Sequence, residues 1–243
     1  MEHPFTWTYA LGMAPDSDWK YLAIGCFVMV VLILLALRAR AAIGSGGEAA
    51  LVPDGSLSAR NLFEIIVEAL GGLADTVIGH GGAVYVPLLC SFFIYILFCN
   101  FIGLIPGFTP PTSDFDITLA LGTVSFLAFN FYGFKAQGIA YLKHFMGPIW
   151  WLAILMLPLE TIGAFVRPFS LGLRLFGNLF GDHLVLEIFT ELTKVGVPVV
   201  FYMLGTLVTV IQAFVFTLLS MIYIALAVTH HGNEEAHGEA HAH

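Results

Sequence analysis

The chain has 243 residues, of which 58 % are hydrophobic and only 11 % are charged, and its formal net charge is −8 at pH 7. Soluble domains do not combine so few charges with apolar residues in long runs, so the composition excludes that class and predicts a polytopic integral membrane protein. The negative net charge also gives no reason to expect a nucleic-acid partner.

The first apolar run, Trp19–Leu37, is long enough to cross the hydrocarbon core as a helix. Acidic residues precede this run and basic residues follow it: Glu2, Asp16 and Asp18 before, Arg38 and Arg40 after. A signal peptide has the reverse order of charge. We therefore expect an uncleaved first span that is preceded by an outer N-terminal segment, residues 1–18.

After a loop rich in glycine and alanine at 41–57, the pattern predicts an amphipathic helix over about 57–79. Its apolar positions are Leu62, Phe63, Ile66, Leu70, Leu73 and Val77, and its polar positions are Asn61, Glu64, Glu68 and Asp75. Such a helix lies in the membrane interface and does not span the bilayer. Two further apolar runs, 83–105 and 117–134, are separated by a turn at 106–116 and predict two more spans.

Two long apolar tracts follow, 149–192 and 196–229. As helices they would extend about 66 Å and about 51 Å, well beyond the thickness of the hydrocarbon core. The middle of the first tract has no turn cluster, so we expect one helix, bent near Pro158 or Pro168 and lying far over toward the membrane plane. The second tract should tilt beside it, which makes a tilted hairpin over about 149–229.

The predicted fold is therefore an all-α integral membrane protein with about three upright spans, one interfacial amphipathic helix and a final pair of long, strongly tilted helices. Residues 19–229 form a single membrane domain. The histidine-rich segment 230–243 is predicted to be a disordered inner tail and not a metal site.

The distribution of lysine and arginine sets the orientation. With the N-terminus outside, five basic residues fall on the inner side and two on the outer side: Arg38, Arg40, Arg60, Lys135 and Lys143 against Lys20 and Lys194. This bias agrees with the positive-inside rule. It places the C-terminus in the cytoplasm and leaves Arg167 and Arg174 within the membrane.

A polar stripe runs along the first long tract. On a helical wheel with Arg174 at zero and about 100° per residue, nearly every polar residue from 160 to 182 lies on the same face, within about 80°: Arg167, Glu160, Ser170, Asn178 and Asp182. Gly163, Gly177 and Gly181 lie at the edge of this face, where the absence of side chains lets another helix approach closely. His183 points the other way, toward the last helix or the upstream spans.

Arg174 has no acidic neighbour three or four residues away, and the runs 83–105, 117–134 and 196–229 contain no carboxylate. An arginine at the centre of a membrane helix costs on the order of 3 kcal/mol even on the lenient insertion scale. The counter-charge must therefore either be transported or belong to another chain. The last tract offers a neutral partner, Gln212.

At this point the sequence resembles a known family. The stretches "LPLETIGAFVRPFSLGLRLFGNLFGDHLVL" and "GTLVTVIQAFVFTLLSMIYIALA" are similar to subunit a of rotary F-type ATP synthases, and the likeness extends from about residue 57 to residue 227. Its most specific part is the R-L-F-G-N core, preceded by R-P-x-S-L and followed by a glutamine in the last helix. "FCNFIGLIPG" and "TLALGTVSF" also belong to it.

The resemblance implies the proton-channel stator subunit of the ATP synthase membrane sector, which couples proton flow through two half-channels to rotation of a ring of c subunits. It implies that Arg174 faces the ring carboxylate with Gln212 as its neighbour. Asn178, Asp182 and His183 would line the outer half-channel, and Glu160 and Ser170 the inner one. The last helix has Gly205 where some relatives carry an ionisable group, so Asp182 and His183 would carry out proton uptake alone.

The implied partners are the c-subunit ring, the b subunits of the peripheral stalk and, through the complex, the ATP synthase head. The implied location is the inner membrane of a bacterium. The chain would form the proton path without a nucleotide-hydrolysing site, a cofactor or a metal of its own.

Two other classes of protein stay open at the level of the residues. In an ion-coupled secondary transporter, Arg174 would bind an anionic substrate, but that class predicts internal repeats and a pair of discontinuous helices. A membrane hydrolase would need a nucleophile, metal or phosphate-binding motif, and the sequence contains no H-E-x-x-H, G-x-S-x-G or P-loop pattern.

Overall fold

The computed structural model describes residues 19–43, 59–79, 81–105, 107–138, 141, 153–193 and 196–229. The expectations for segments 1–18 and 230–243, and for Lys143 and Lys194, fall outside these ranges. Within them the protein is all-helical, as predicted. The six helices are α1 (Trp19–Ile43), α2 (Ala59–Val77), α3 (Val86–Ile102), α4 (Phe115–Gln137), α5 (Ala153–Leu192) and α6 (Gly196–Thr229).

Three helices, α1, α4 and α6, are long and apolar enough to cross a membrane. The second predicted span, 83–105, differs, because α3 has only 17 residues and is about 26 Å long. Gly81 precedes it with φ of 106° and is followed by a 3₁₀ turn, Gly82–Val84. The first residues of the apolar run lie in this 3₁₀ turn, and its last residues lie in the turn that begins at Gly103. The helix is therefore shorter than the run from which it was predicted.

The start of α4 is set by a side-chain cap. The carboxylate of Asp114 accepts hydrogen bonds from the backbone N–H groups of Asp116 and Ile117, at 2.8 and 3.4 Å. A capping aspartate satisfies N–H groups that have no partner inside the helix. At the other end Gly138 has φ of 59°, a left-handed value that favours glycine.

The amphipathic helix α2 packs through its apolar side. Leu70 is buried beside Cys90 and Ile94 of α3, and Ala74 and Ile78 join a cluster that reaches α4 and α6. Leu62, which the pattern assigned to the apolar side, is 51 % exposed. The position of α2 in the membrane interface stays a prediction.

The first long tract forms one helix, as predicted. α5 has 40 residues with Pro158 and Pro168 inside it, and would extend about 60 Å. This continuity excludes two upright spans within the tract. α5 contacts α4 and α6, and α6 also contacts α3 and α4. The tilt of the α5–α6 pair relative to the membrane stays a prediction.

The close contact between α4 and α5 depends on two glycines. A Cβ atom on Gly122 of α4 would overlap the backbone carbonyl oxygen of Pro168. A Cβ atom on Gly172 of α5 would lie 2.9 Å from the carbonyl oxygen of Thr118. Without side chains at these positions the two backbones touch, a common way for helices to associate in lipid.

Candidate functional site

The rotation of α5 about its axis is set by a buried row of leucines. Leu171 and Leu175 are 2 % and 0 % exposed, and Leu179 one turn further is also buried. The first two pack between α3 and α6, in a cluster with Phe92, Ile96, Ala213 and Phe216. Because residues four apart lie on the same face of a helix, this row turns the residues between them outward. Arg174 is accordingly exposed.

The surface around Arg174 is apolar and open. Phe169, Leu173 and Phe180 are each nearly half exposed on the same helix. Gly163, Gly177 and Gly181 would meet nothing within 4 Å if they carried a Cβ atom. The part of the chain that the structure describes provides no ion pair for Arg174. A permanent cation thus stands on an apolar face that has room for another helix.

One turn beyond Arg174, a side-chain hydrogen bond connects the polar stripe of α5 to α6. The side-chain amide of Asn178 donates a hydrogen bond of 2.7 Å to Oε1 of Gln212. Gln212 is only 5 % exposed, so its amide is held inside the protein beside the stripe. A hydrogen bond between polar side chains of neighbouring membrane helices stabilises their association. This bond fixes α6 against α5 close to the arginine.

A cavity of about 350 Å³ opens beyond this hydrogen bond, between α3, α5 and α6. It brings together three of the predicted site residues, Asn178, Asp182 and His183. Tyr202, Gly205 and Thr209 of α6 form its opposite wall. Asp182 is two turns, about 12 Å, from Arg174 along the helix axis. A cavity of this volume, with polar side chains among its wall residues, is large enough to hold several water molecules.

The other end of the stripe has separate surroundings. Glu160 and Arg167 approach each other to 3.9 Å between Oε1 and Nη2. The guanidinium carbon of Arg167 lies 5.7 Å from the centre of the Tyr223 ring on α6. Ser170 is half-buried between this pair and Arg174. None of these four residues lines the cavity at the other end, so within the described residues Arg174 separates two polar regions.

The sequence matches the family described as ATP synthase A chain over residues 22–225. The chain belongs to this family. It is 46 % identical over 227 residues to ATP synthase subunit a of Bdellovibrio bacteriovorus, which covers 93 % of this chain and 98 % of that protein. It is 42 % identical over 216 residues to ATP synthase subunit a of Geobacter sulfurreducens, covering 89 % and 88 %. It is 43 % identical over 243 residues to ATP synthase subunit a 3 of Pelobacter propionicus, which covers 98 % of this chain and 100 % of that protein.

Family membership confirms the resemblance on which the sequence-based expectation rested. The ATP synthase A chain is the proton-translocating subunit of the membrane sector, and it works in a complex with other ATP synthase subunits. The bacterial relatives and the apolar helices make this a bacterial membrane protein. The transporter and hydrolase alternatives have no support from these relatives.

Sequence reasoning missed the most deeply buried polar residue of the cavity. Asn100 on α3 is 1 % exposed and lines the cavity. Its Oδ1 accepts a hydrogen bond of 2.6 Å from the hydroxyl of Thr112, whereas its amide nitrogen has no hydrogen-bond partner among the described residues. A buried N–H group normally has a partner, and a water in the cavity would supply one. The available signal was an amide inside the apolar run 83–105.

Proposed function

We propose that this chain is the stator half of the proton motor, with two half-channels that meet at Arg174. A carboxylate on a ring of c subunits is the missing counter-charge of this arginine. The observation that carries the proposal is an exposed cation on an apolar helix face, without an ion pair among the residues that the structure describes and flanked by three open glycines. Such a face suits a partner helix that brings its own carboxylate and needs close approach.

The chemistry follows from the fixed positive charge. A nearby cation lowers the pKa of a carboxylate, so a ring site loses its proton as it reaches Arg174. It cannot carry the proton past, and protons must therefore arrive on one side of the arginine and leave on the other. Arginine suits this task because it keeps its proton even where a lysine would lose one on desolvation.

The two polar regions supply the two paths in this proposal. Protons arrive from the outer side through the cavity that contains Asp182, His183 and Asn178. They leave toward the cytoplasm past Ser170 and Glu160. Gln212 holds Asn178 and so keeps the two long helices in register beside the arginine.

In the assembled enzyme the chain would also contact the b subunits of the peripheral stalk and would connect through the complex to the ATP synthase head. We assign it to the bacterial inner membrane with the N-terminus outside and the C-terminus in the cytoplasm, as one membrane domain over 19–229. Purification in a mild detergent should recover the ring and the head together with this chain.

The central test replaces the arginine. In membranes that contain the whole complex, Arg174→Ala should abolish both ATP synthesis and ATP-driven proton pumping, and should allow passive proton leak between the half-channels. Arg174→Lys should also fail to synthesise ATP at a useful rate, because a desolvated ammonium group is able to lose its charge. Near-normal synthesis by the lysine variant would contradict the assigned role, since any cation would then suffice.

A second test addresses the open face. Gly177→Leu adds a large side chain where the chain itself leaves space, so the protein should insert normally and yet lose coupled transport. Gly72→Leu on α2 is the matched control, because Gly72 also has nothing within 4 Å of a Cβ position. Wild-type pumping by the Gly177 variant would mean that the ring does not contact this face.

A further inference from the structure

Arg167 is the one charged residue of the polar stripe to which the proposed proton path gives no task. It lies seven residues before Arg174, about 10 Å away along the same helix face. The two arginines differ in their surroundings. Arg174 is exposed and has no ion pair among the described residues, whereas Arg167 has a neighbour on each of two helices.

The first neighbour is a carboxylate of its own helix. Nη2 of Arg167 lies 3.9 Å from Oε1 of Glu160, with 34 % and 40 % of the two side chains exposed. The two residues are seven positions apart, which corresponds to about 10 Å along the helix axis. Each side chain must therefore extend along the helix toward the other. The pair holds this conformation only if something restricts the guanidinium.

The second neighbour supplies that restriction. Tyr223 of α6 presents its ring to the Arg167 guanidinium at 5.7 Å from the ring centre, within the range of a cation–π interaction. The ring is itself held in place by contact with Phe129 of α4, at 5.8 Å between ring centres. Arginine suits this position because its planar group stacks on an aromatic face and pairs with a carboxylate at the same time.

Tyr141 is a further aromatic residue near the Arg167–Glu160 pair, and it contacts α4. Its hydroxyl donates a hydrogen bond of 3.0 Å to Oδ1 of Asn130, and its ring would lie 2.8 Å from a Cβ atom on Gly133. Burial raises the pKa of Tyr141, while the charges of Arg167 and Glu160 act on it in opposite directions. Tyr141 thus senses the charges of both members of the ion pair and packs against α4 and α6.

We infer that Arg167 is a positioning residue of the inner half-channel: the Tyr223 ring holds its guanidinium, and the guanidinium holds the Glu160 carboxylate beside the polar stripe. This inference rests on the proposed function, in which Glu160 takes part in proton release. It gives Arg167 a task that differs from that of Arg174. Arg167 acts through Glu160 and does not meet the ring carboxylate.

The test measures ATP-driven proton pumping and ATP synthesis in inverted membrane vesicles that contain the whole complex, normalised to the amount of assembled enzyme. Tyr223→Leu and Arg167→Gln should each slow both rates by about two- to fivefold, the factor that corresponds to loss of one exposed cation–π contact. Tyr223→Phe keeps the ring and should remain close to the wild-type rate. Arg60→Gln, which removes the arginine that pairs with Glu64 on α2, is the control.

A double variant separates positioning from a direct role. If Arg167 acts only through Glu160, then Glu160→Gln combined with Arg167→Gln should be no slower than Glu160→Gln alone. The inference would be overturned if the double variant were slower than the wild type by the product of the two single-variant factors. A Tyr223→Phe rate as low as that of Tyr223→Leu would also overturn it.

The rates of the single variants distinguish failure of this positioning role from failure of the proposed inner half-channel. A slow Glu160→Gln with wild-type rates in Arg167→Gln and Tyr223→Leu would refute the positioning role alone. A wild-type rate in Glu160→Gln would remove the inner path from the proposed function and this inference with it. Arg167→Lys should recover part of the rate lost in Arg167→Gln, because it keeps the charge near Glu160.

Discussion

The contact between α4 and α5 provides a test of how accurately the arginine must be held. A Cβ atom on Gly172 would lie 2.9 Å from the carbonyl oxygen of Thr118 and 3.1 Å from Cα of Leu119, whereas ordinary contacts begin at 3.4 Å. The difference between 3.4 and 2.9 Å means that Gly172→Ala must move the two helices apart by about 0.5 Å, because both neighbours are backbone atoms. Arg174 is only two residues away on α5.

The expected effect on the rate follows from this displacement. A functional group must be held to within about 0.5 Å of its working geometry, and a misplacement of about 1 Å costs roughly a hundredfold in rate. Half that displacement predicts about a tenfold loss of ATP synthesis and of ATP-driven pumping. Helix formation is not the cause, since alanine favours a helix over glycine by about 1 kcal/mol.

The assay compares initial rates in membranes that contain equal amounts of assembled complex, as judged by immunoblot of this chain and of the attached head. Gly72→Ala is the control, because it adds the same methyl group to α2, away from the proposed ring-contact face, at a position where nothing lies within 4 Å. Gly122→Ala, whose Cβ atom would overlap a carbonyl oxygen of α5, should be at least as slow as Gly172→Ala. Equal rates for Gly72→Ala and Gly172→Ala would refute the reasoning.

Four further outcomes are expected. Asp182→Asn should slow synthesis and pumping severely without a proton leak, and His183→Ala should shift the pH dependence of the rate, because a histidine changes charge near neutral pH. An unchanged pH profile in the histidine variant would leave proton uptake to Asp182. A membrane-impermeant reagent on intact cells should label a cysteine at Ser113 but not one at Gly232, and the reverse pattern would invert the topology. Ser220→Ala removes a buried hydrogen bond of 2.8 Å to Ser125 of α4 and should lower the free energy of unfolding by about 1 kcal/mol, measured by denaturant in detergent. An unchanged free energy of unfolding would mean that this bond makes no net contribution to stability.

The helices could be predicted because apolar runs of membrane length have few alternatives in lipid, where every backbone group must find a partner within its own segment. The α5 helix shows this well, since it continues through Pro158 and Pro168 as the tract length indicated. The predicted length of this span was wrong because the residues of the 3₁₀ turn before α3 and of the turn after it are as apolar as the helix itself, so the run 83–105 does not show where the helix begins and ends.

The glycines show what a helical wheel cannot provide. The wheel selected Gly163, Gly177 and Gly181 because they lie near the charges, and these three prove to be open. The close approach inside the chain is made by Gly122 and Gly172, and Gly172 lies about 160° from Arg174 on the same wheel. A glycine carries no polarity to indicate its face, so only the packed structure distinguishes an internal contact from a free surface.

The pairing of polar groups was likewise beyond the sequence. Asn100 with Thr112 and Arg167 with Tyr223 join residues on different segments. Their geometry depends on the relative rotation of whole helices, which is set by the buried side chains and not by the polar residues themselves. The stripe on α5 was predictable because it lies on one helix, where spacing alone determines the face.

The two arginines of α5 explain in physical terms why the proposed mechanism needs a second chain. Arg167 has a carboxylate and an aromatic side chain beside it within the protein. Its charge is therefore compensated equally at every rotational position of the c-subunit ring. Arg174 has no such ion pair in the described part of the chain, and an uncompensated arginine at membrane depth costs on the order of 3 kcal/mol. In the proposed motor that energy is recovered only when a ring carboxylate stands opposite. An arginine already paired within its own chain would have no preference for one ring position over another, and proton flow would then have no means of driving rotation.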